Sequence, residues 1–226
     1  TVYCRPGSLK AKRLGIDTSL LNIPGAMGEV MQDALDKLKN AGSEIVIVNY
    51  RAALNSTNAA SYEILLYEFK DGLEKYLTKS TSQYKTLQQL IEGNKAQKEL
   101  TMPHFEQEIF EKAVTRTSLL DTVYQNAMIT SYQAVKSAIN KTIKDHKLDA
   151  IIGPALGPAW PTNYEKPGGF NGPSVYGHAA RAGYPHITLP MAKVNNLPVS
   201  ICFFGLPFTE RELIGMAFDF ERVNKM

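Results

Sequence analysis

Apolar positions change period twice within the first fifty residues. Residues 12–16 run from the basic Lys12 and Arg13 into an apolar stretch and read as a short strand. Val30, Met31, Ala34, Leu35 and Leu38 then recur at helical spacing. Glu29 and Asp33 lie early in that helix and Lys37 and Lys39 late, the order that suits the helix dipole. Gly42 follows the last turn and supplies a left-handed cap. Residues 45–48 are all β-branched, so a buried strand is expected. Strand, helix and strand in this order form the βαβ unit of a parallel sheet.

From residue 55 to 147 the pattern is helical. Tyr62, Leu65, Leu66, Phe69, Leu73 and Tyr76 form one apolar stripe, and residues 86–100 a further helix. Residues 117–147 predict one long helix of roughly 40 Å. Leu120, Tyr124, Ala127, Ser131, Val135 and Ala138 lie down one face of it, and Ser118 and Asp121 are placed as a capping box. The seam holds serine and alanine, not sustained Leu/Ile heptads, so a coiled coil is disfavoured.

After residue 147 the composition shifts. Residues 148–152 predict a strand stopped by Gly153-Pro154. Five prolines and five glycines follow within 153–173. Residues 175–182 predict a short helix ended by Gly183. Residues 187–191 and 198–204 predict an antiparallel pair turned by Asn195-Asn196, since asparagine tolerates positive φ. Thr209 and Glu212 are spaced as a capping box for a last helix, with Phe208 and Leu213 as its staple.

The expected fold class is therefore α/β, a mixed β-sheet flanked by helices. A single domain over 1–226 is expected, with 55–147 a mainly helical layer and 148–226 a sheet hairpin and terminal helix. A chain of 226 residues can bury about 70% of its unfolded surface. The net charge of +3 is small and dispersed, with no long block of like charges, which disfavours nucleic acid and membrane surfaces as partners. No run is long enough for a membrane span. Two cysteines make no disulfide framework; Cys202 lies in an apolar run and reads as a core thiol, and a reduced, cytoplasmic setting is expected. The chain opens Thr1-Val2-Tyr3 without methionine, which fits a processed or shortened form.

Chemistry is sparse. His104, Glu106 and Glu108 lack the second histidine a helical zinc site needs, so no metal is expected. There is no P-loop, no G-x-G-x-x-G and no G-x-S-x-G, and no cofactor is expected. A hydrolase built on His178 or His186 has no local signature. What remains is the long loop at a strand's carboxyl end, the place where open α/β sheets bind ligands. It marks residues 153–174 as the binding region.

Residues 148–212 carry a resemblance. Asp149-Ala150-Ile151-Ile152-Gly153-Pro154, Gly157-Pro158-Ala159-Trp160, Ala182-Gly183-Tyr184-Pro185, Pro190-Met191 and Leu197-Pro198-Val199 resemble, in the same order, the carboxy-terminal region of the amidase signature family. Residues 9–16, Leu-Lys-Ala-Lys-Arg-Leu-Gly-Ile, look like the family's strand that follows its catalytic core. The Gly-Pro-Ala-Trp loop and residues 104–108 point to the peptide-amidase-like branch. The sequence departs from the family's pattern at Ala192, Asn196 and Ser200, where glycine is common. The resemblance implies an α/β/α fold, a small-molecule amide substrate in the full-length enzyme, and Ala155, Pro158, Trp160, Asn163, Phe170 and Ser174 as substrate-binding residues. It also implies a Ser–cis-Ser–Lys triad upstream of residues 12–16. No Gly/Ser-rich nucleophile segment is present, so no catalytic residue carries over and the chain as given is expected to be catalytically incomplete. The alternative is a non-catalytic binding or structural module derived from that fold. Absence of the family's amino-terminal half is expected to leave a sheet edge or apolar face open, covered either by a homo-oligomer or by a rearrangement of the 55–147 helices over the gap.

Overall fold

The structure is a computed structural model and describes residues 2–165 and 172–225. In chain order the elements begin with strand β1 (Arg13–Asp17), helix α1 (Ala26–Asn40), strand β2 (Glu44–Val48) and helix α2 (Asn58–Lys79). Shorter helices follow: α3 (Leu87–Ala96), α4 (Lys98–Thr101), α5 (Glu108–Val114), α6 (Thr122–Met128) and α7 (Ala134–Asp145). The last part holds strand β3 (Ala150–Pro154), helix α8 (Tyr176–Ala182), strands β4 (His186–Val194) and β5 (Leu197–Phe204), and helix α9 (Glu210–Val223). The chain divides into two compact units. A sheet unit comprises Thr1–Asn55, Ala134–Pro161 and Gly169–Met226, and a helical unit Ser56–Gln133 and Thr162–Gly168.

In the sheet unit the strand order is β2-β1-β3-β5-β4. β1 is parallel to β2 and β3, whereas β5 runs antiparallel to β3 and β4. The sheet is mixed, and all five expected strands are in it. Side-chain alternation gives it two faces, both covered at the central strands. β2, expected to be a buried strand, is an edge strand: Ile45 and Val46 are half-buried, Ile47 is 56% exposed and only Val48 is buried. Phe203 turns to α9, its ring 5.9 Å from that of Phe220. Phe204 turns to the other face, where the Tyr50 ring stands 6.5 Å away.

Local chemistry sets the joints. Gly42 lies at φ +93 beyond α1, where the Gly42 and Ser43 N–H groups bond the Lys39 and Leu38 carbonyls. Asn195 and Asn196, at φ +50 and +63, form the tight turn between β4 and β5. The Asp149 carboxylate clamps the start of β1, accepting from the Arg13 N–H at 2.9 Å and from Lys12 Nζ at 2.7 Å. β4 carries a bulge between Pro190 and Ala192. Buried Asn224 closes it: Nδ2 donates to the Pro190 and Met191 carbonyls at 3.1 and 3.0 Å, and Oδ1 accepts from Lys37. Asn224→Ala strands those carbonyls, and urea unfolding is expected to show a loss of about 1–3 kcal/mol.

Several local expectations fail. Residues 117–147 are not one helix: α6 and α7 are separated by a π-helical turn, Ile129–Gln133. Ser131 sits in that turn with its buried hydroxyl unpartnered. The α6 cap is Asp121 itself, whose carboxylate accepts from the Val123 N–H; the Ser118 hydroxyl accepts from Leu120, outside the helix. Leu120 is 87% exposed. Residues 86–100 break at Gln97 into α3 and α4, although Thr86 and Gln89 do make a capping box. Thr209 does not cap α9 with its side chain, which bonds the Leu206 carbonyl instead. Phe208, at φ +67, is 91% exposed and forms no staple. β3 runs through Gly153 and Pro154 where a stop was expected, because Pro154 closes the strand opposite Ile201 and loses no ladder donor it needs.

The helical unit corrects the α2 stripe. Tyr62, Leu65, Phe69 and Tyr76 are exposed. Leu66 of the stripe is buried with Leu87, Ile91 and Ala113 of α3 and α5, and Leu73 packs against that cluster; the other buried positions are Leu77 and, on another flank with Tyr124 and Ala127 of α6, Ile64 and Tyr67. One helix thus buries two flanks, which a single-stripe reading cannot resolve. Polar ties hold the flanks: Tyr67 donates to Asp121 at 2.8 Å, Tyr124 donates to Glu68 at 2.8 Å, and Arg116 pairs with Glu63 through two nitrogens.

Candidate functional site

The carboxyl ends of β1, β2 and β3 lie together in the sheet unit. Asp17 ends β1 and is 1% exposed. Its Oδ2 accepts from the Tyr50 and Arg51 N–H groups at 2.9 and 3.0 Å, and Oδ1 from the Ser19 N–H and hydroxyl at 3.0 and 2.7 Å. Burial pushes its pKa up, but the donors from Arg51, Ser19 and Tyr50 outweigh this and hold it below the usual carboxylate value. The ionised carboxylate so pins the chain that leaves β2. Arg51 then donates from Nη1 to the Ser174 carbonyl at 2.5 Å, and Tyr50 places its hydroxyl 3.2 Å from His178 Nδ1.

α8 seats itself on this end of the sheet. The Val175 N–H bonds the Pro154 carbonyl at 3.1 Å. A Cβ on Gly153 would meet Val175 at 2.5 Å and Leu20 at 2.9 Å, so only glycine lets the strand approach so closely. Gly183 ends α8 at φ +67, which turns Tyr184 back until its hydroxyl donates to Asn140 Oδ1 on α7 at 2.6 Å. Tyr184 thereby lines a cavity of about 340 Å³ with Ala155, Leu156, Tyr176, Ala180, His186 and Thr188. A second cavity, of about 490 Å³, opens beside Asp17, Ser19, Asn49 and Arg51. The first is aromatic and aliphatic with a few polar tips; the second is lined mainly by residues with polar side chains, together with Ala52.

The candidate binding residues scatter over these features. Ala155 extends the β3–β5 pairing through its N–H to the Ser200 carbonyl and lines the aromatic cavity. Ser174 lies on the polar side, holding Arg51. Pro158 is half-buried, and Trp160 is exposed. Asn163 belongs to the helical unit, where its Oδ1 accepts from the Glu165 N–H. Phe170 lies outside the described residues. Sequence reading missed Asp17, Tyr50, Arg51, Tyr176 and Tyr184. The one local signal was Asp17 at the end of an apolar strand before Thr18-Ser19, the position of a carboxylate that caps a turn.

Neither His178 nor His186 contacts a serine among the described residues; His186 Nε2 is 3.4 Å from the Thr188 hydroxyl. Burial, with Arg51 and Arg181 nearby, lowers the His178 pKa to about 4. The folded chain therefore binds this proton less readily than the unfolded chain. Stability is full above about pH 6.5 and falls as pH drops toward 4. Between pH 7.5 and 4.5, chemical denaturation is expected to show a loss of about 2 kcal/mol in the native chain that His178→Gln removes. No group of three metal-ligating side chains occurs among the described residues. No helix among them is long and apolar enough to cross a membrane.

A mixed sheet between helices, with α8 tied to the strand ends through Val175 and Pro154, belongs to a recognised class. The amidase family's sequence profile matches residues 5–214, and the chain belongs to that family. The native peptide amidase of Stenotrophomonas maltophilia superposes with a TM-score of 0.88 at 31% identity, over 99% of this chain and 45% of that one. A peptide amidase bound to the competitive inhibitor chymostatin superposes with a TM-score of 0.90 at 32% identity, over 98% and 45%. Mandelamide hydrolase of Pseudomonas putida is 26% identical over 91% of this chain and 42% of its own length. A probable amidase of Arabidopsis thaliana is 28% identical over 97% and 40%. The chain thus spans less than half the length of the relatives it matches.

Proposed function

We propose that this chain is the carboxy-terminal part of an amidase signature amidohydrolase, shaping the substrate side of the site while the nucleophile comes from residues outside it. The observation that carries this reading is the likeness to peptide amidases over nearly the whole chain at a TM-score of 0.90. Within it, the cavity of Ala155, Tyr176, Tyr184 and His186 offers apolar and aromatic surface with polar tips, which suits the side chain or ring of a small amide. Ala155, Pro158, Trp160, Asn163, Phe170 and Ser174 remain the substrate-side residues of this proposal. Amide hydrolysis further needs an activated nucleophile, a proton relay and oxyanion donors. The family's Ser–cis-Ser–Lys arrangement supplies these, and residues 1–226 hold no segment resembling it. The reading includes a reduced, cytoplasmic setting, supported by a cysteine content of two, too small for a disulfide framework. Ammonia release from simple and peptide amides, by this chain and by one extended with a family-type nucleophile segment, tests it.

A further inference from the structure

The polar cavity at the ends of β1 and β2 has a different character from the aromatic one. It measures about 490 Å³ and is lined by Asp17, Thr18, Ser19, Asn49, Arg51 and Asn55, with Ala52 as an apolar patch among them. Arg51 is its one cationic lining residue. The backbone N–H of Arg51 is bonded to Asp17, and Nη1 to the Ser174 carbonyl, so the guanidinium is held in place from both ends. A guanidinium carries five N–H donors, and among the described residues only that one bond engages it. No carboxylate pairs with it there.

Asp17 is close in space, though 34 positions away in sequence, and makes no side-chain ion pair with Arg51 among the described residues. Each of its oxygens already accepts two hydrogen bonds, from Ser19, Tyr50 and the Arg51 backbone. A fixed, partly buried guanidinium with an open edge suits a planar two-oxygen anion, which it can grip by two parallel bonds. Apart from Ala52, the remaining lining side chains are the amides of Asn49 and Asn55 and the hydroxyls of Thr18 and Ser19, able to donate to the rest of a polar ligand. Among the described residues the cavity lining holds one cation, and the ionised Asp17 stands beside it. That balance fits a singly charged ligand and disfavours a dianion.

We infer that this cavity binds a small carboxylate, seated on the free edge of the Arg51 guanidinium with Asn49 and Asn55 at its rim. The site is separate from the aromatic cavity and does not rest on amide hydrolysis. Because Arg51 is pre-ordered, little side-chain entropy is lost on binding.

The test is an NMR titration of the 226-residue chain at pH 7 and constant ionic strength, with acetate, benzoate, inorganic phosphate and chloride. Acetate or benzoate is expected to give saturable shifts at Ser19, Asn49, Arg51 and Asn55, with a Kd of about 1 mM. Arg51→Met is expected to abolish them, and Arg51→Lys, which keeps the charge but loses the fork, to weaken them at least about fivefold. Asn55→Asp leaves the Arg51–Ser174 bond intact and places a negative charge at the rim; binding is expected to fall about tenfold, so the test survives if Arg51→Met misfolds. Shifts that stay linear, that chloride reproduces, or that persist unchanged in Asn55→Asp overturn the site. Tighter binding of phosphate than of carboxylate overturns the ligand class.

Discussion

In an ammonia-release assay on aliphatic, aromatic and peptide amides, the 226-residue chain is expected to give background hydrolysis only. The same chain extended by a family-type lysine and Gly/Ser-rich segment is expected to be faster by roughly 10⁴–10⁶-fold, the range spanned when nucleophile and base are removed from a serine hydrolase. The reason is compositional and geometric together. Neither cavity presents a serine paired with a histidine base: His178 is engaged by Tyr50 and His186 by Thr188, while Ser19 of the polar cavity donates to the Asp17 carboxylate, whose lowered pKa makes it a weak base. Ser174 contributes its backbone carbonyl to Arg51. Pocket walls alone bind substrate and transition state about equally, which does not accelerate the chemical step. Turnover that survives purification to homogeneity and disappears in Ser174→Ala would falsify the proposed division of labour. An extended chain that stays silent would argue instead for the non-catalytic module.

Asp17→Ala is expected to be the most destabilising single substitution at the strand ends. It leaves the buried N–H groups of Tyr50 and Arg51 without an acceptor and frees the turn at Ser19. A buried, charge-assisted acceptor of several bonds is worth about 3–5 kcal/mol when removed. For a chain of this size the melting temperature falls by about 10 °C. Asp17→Asn keeps the shape and one acceptor oxygen and is expected to lose less. Asp17 also has a pH signature. Its folded pKa lies below the unfolded value, so its contribution is present above about pH 4 and is lost as pH falls further. That window lies below most of the His178 window, so Asp17→Asn should flatten the acid end of the stability profile and His178→Gln the region above it. Equal stability of Asp17→Ala and the native chain in urea unfolding would show that water replaces the carboxylate at no cost.

The strands and their type were legible because burial in a sheet and local turn chemistry write themselves into short windows. The β-branched run at 45–48, Gly42 beyond α1, Asn195-Asn196 and Gly183 each act on the backbone within a few residues of where they stand. The Asp149-Ala150 and Ala182-to-Pro185 motifs were visible as a family resemblance. Their physical roles, a carboxylate clamping β1 and a left-handed glycine aiming Tyr184, needed coordinates. Helix faces were less legible where a helix has more than one neighbour. Of the expected α2 stripe, Leu66 is buried and Leu73 packs beside it, whereas Tyr62, Leu65, Phe69 and Tyr76 are exposed and Ile64 and Tyr67 are buried on another flank.

Sequence by itself determined the class: periodicities of two and 3.6, β-branched runs and punctuating Gly and Pro dictate a mixed sheet with flanking helices. Only the tertiary structure decided the site. Asp17, Tyr50, Arg51, Ser174 and His178 are strangers along the chain, up to 161 positions apart by their numbers. Parallel strands β1, β2 and β3 bring their carboxyl ends to one side of the sheet, and α8 is tied there through Val175 and Pro154. Hydrogen bonds between such distant residues leave no periodic trace, because each depends on strand order and register and on no pattern of neighbours.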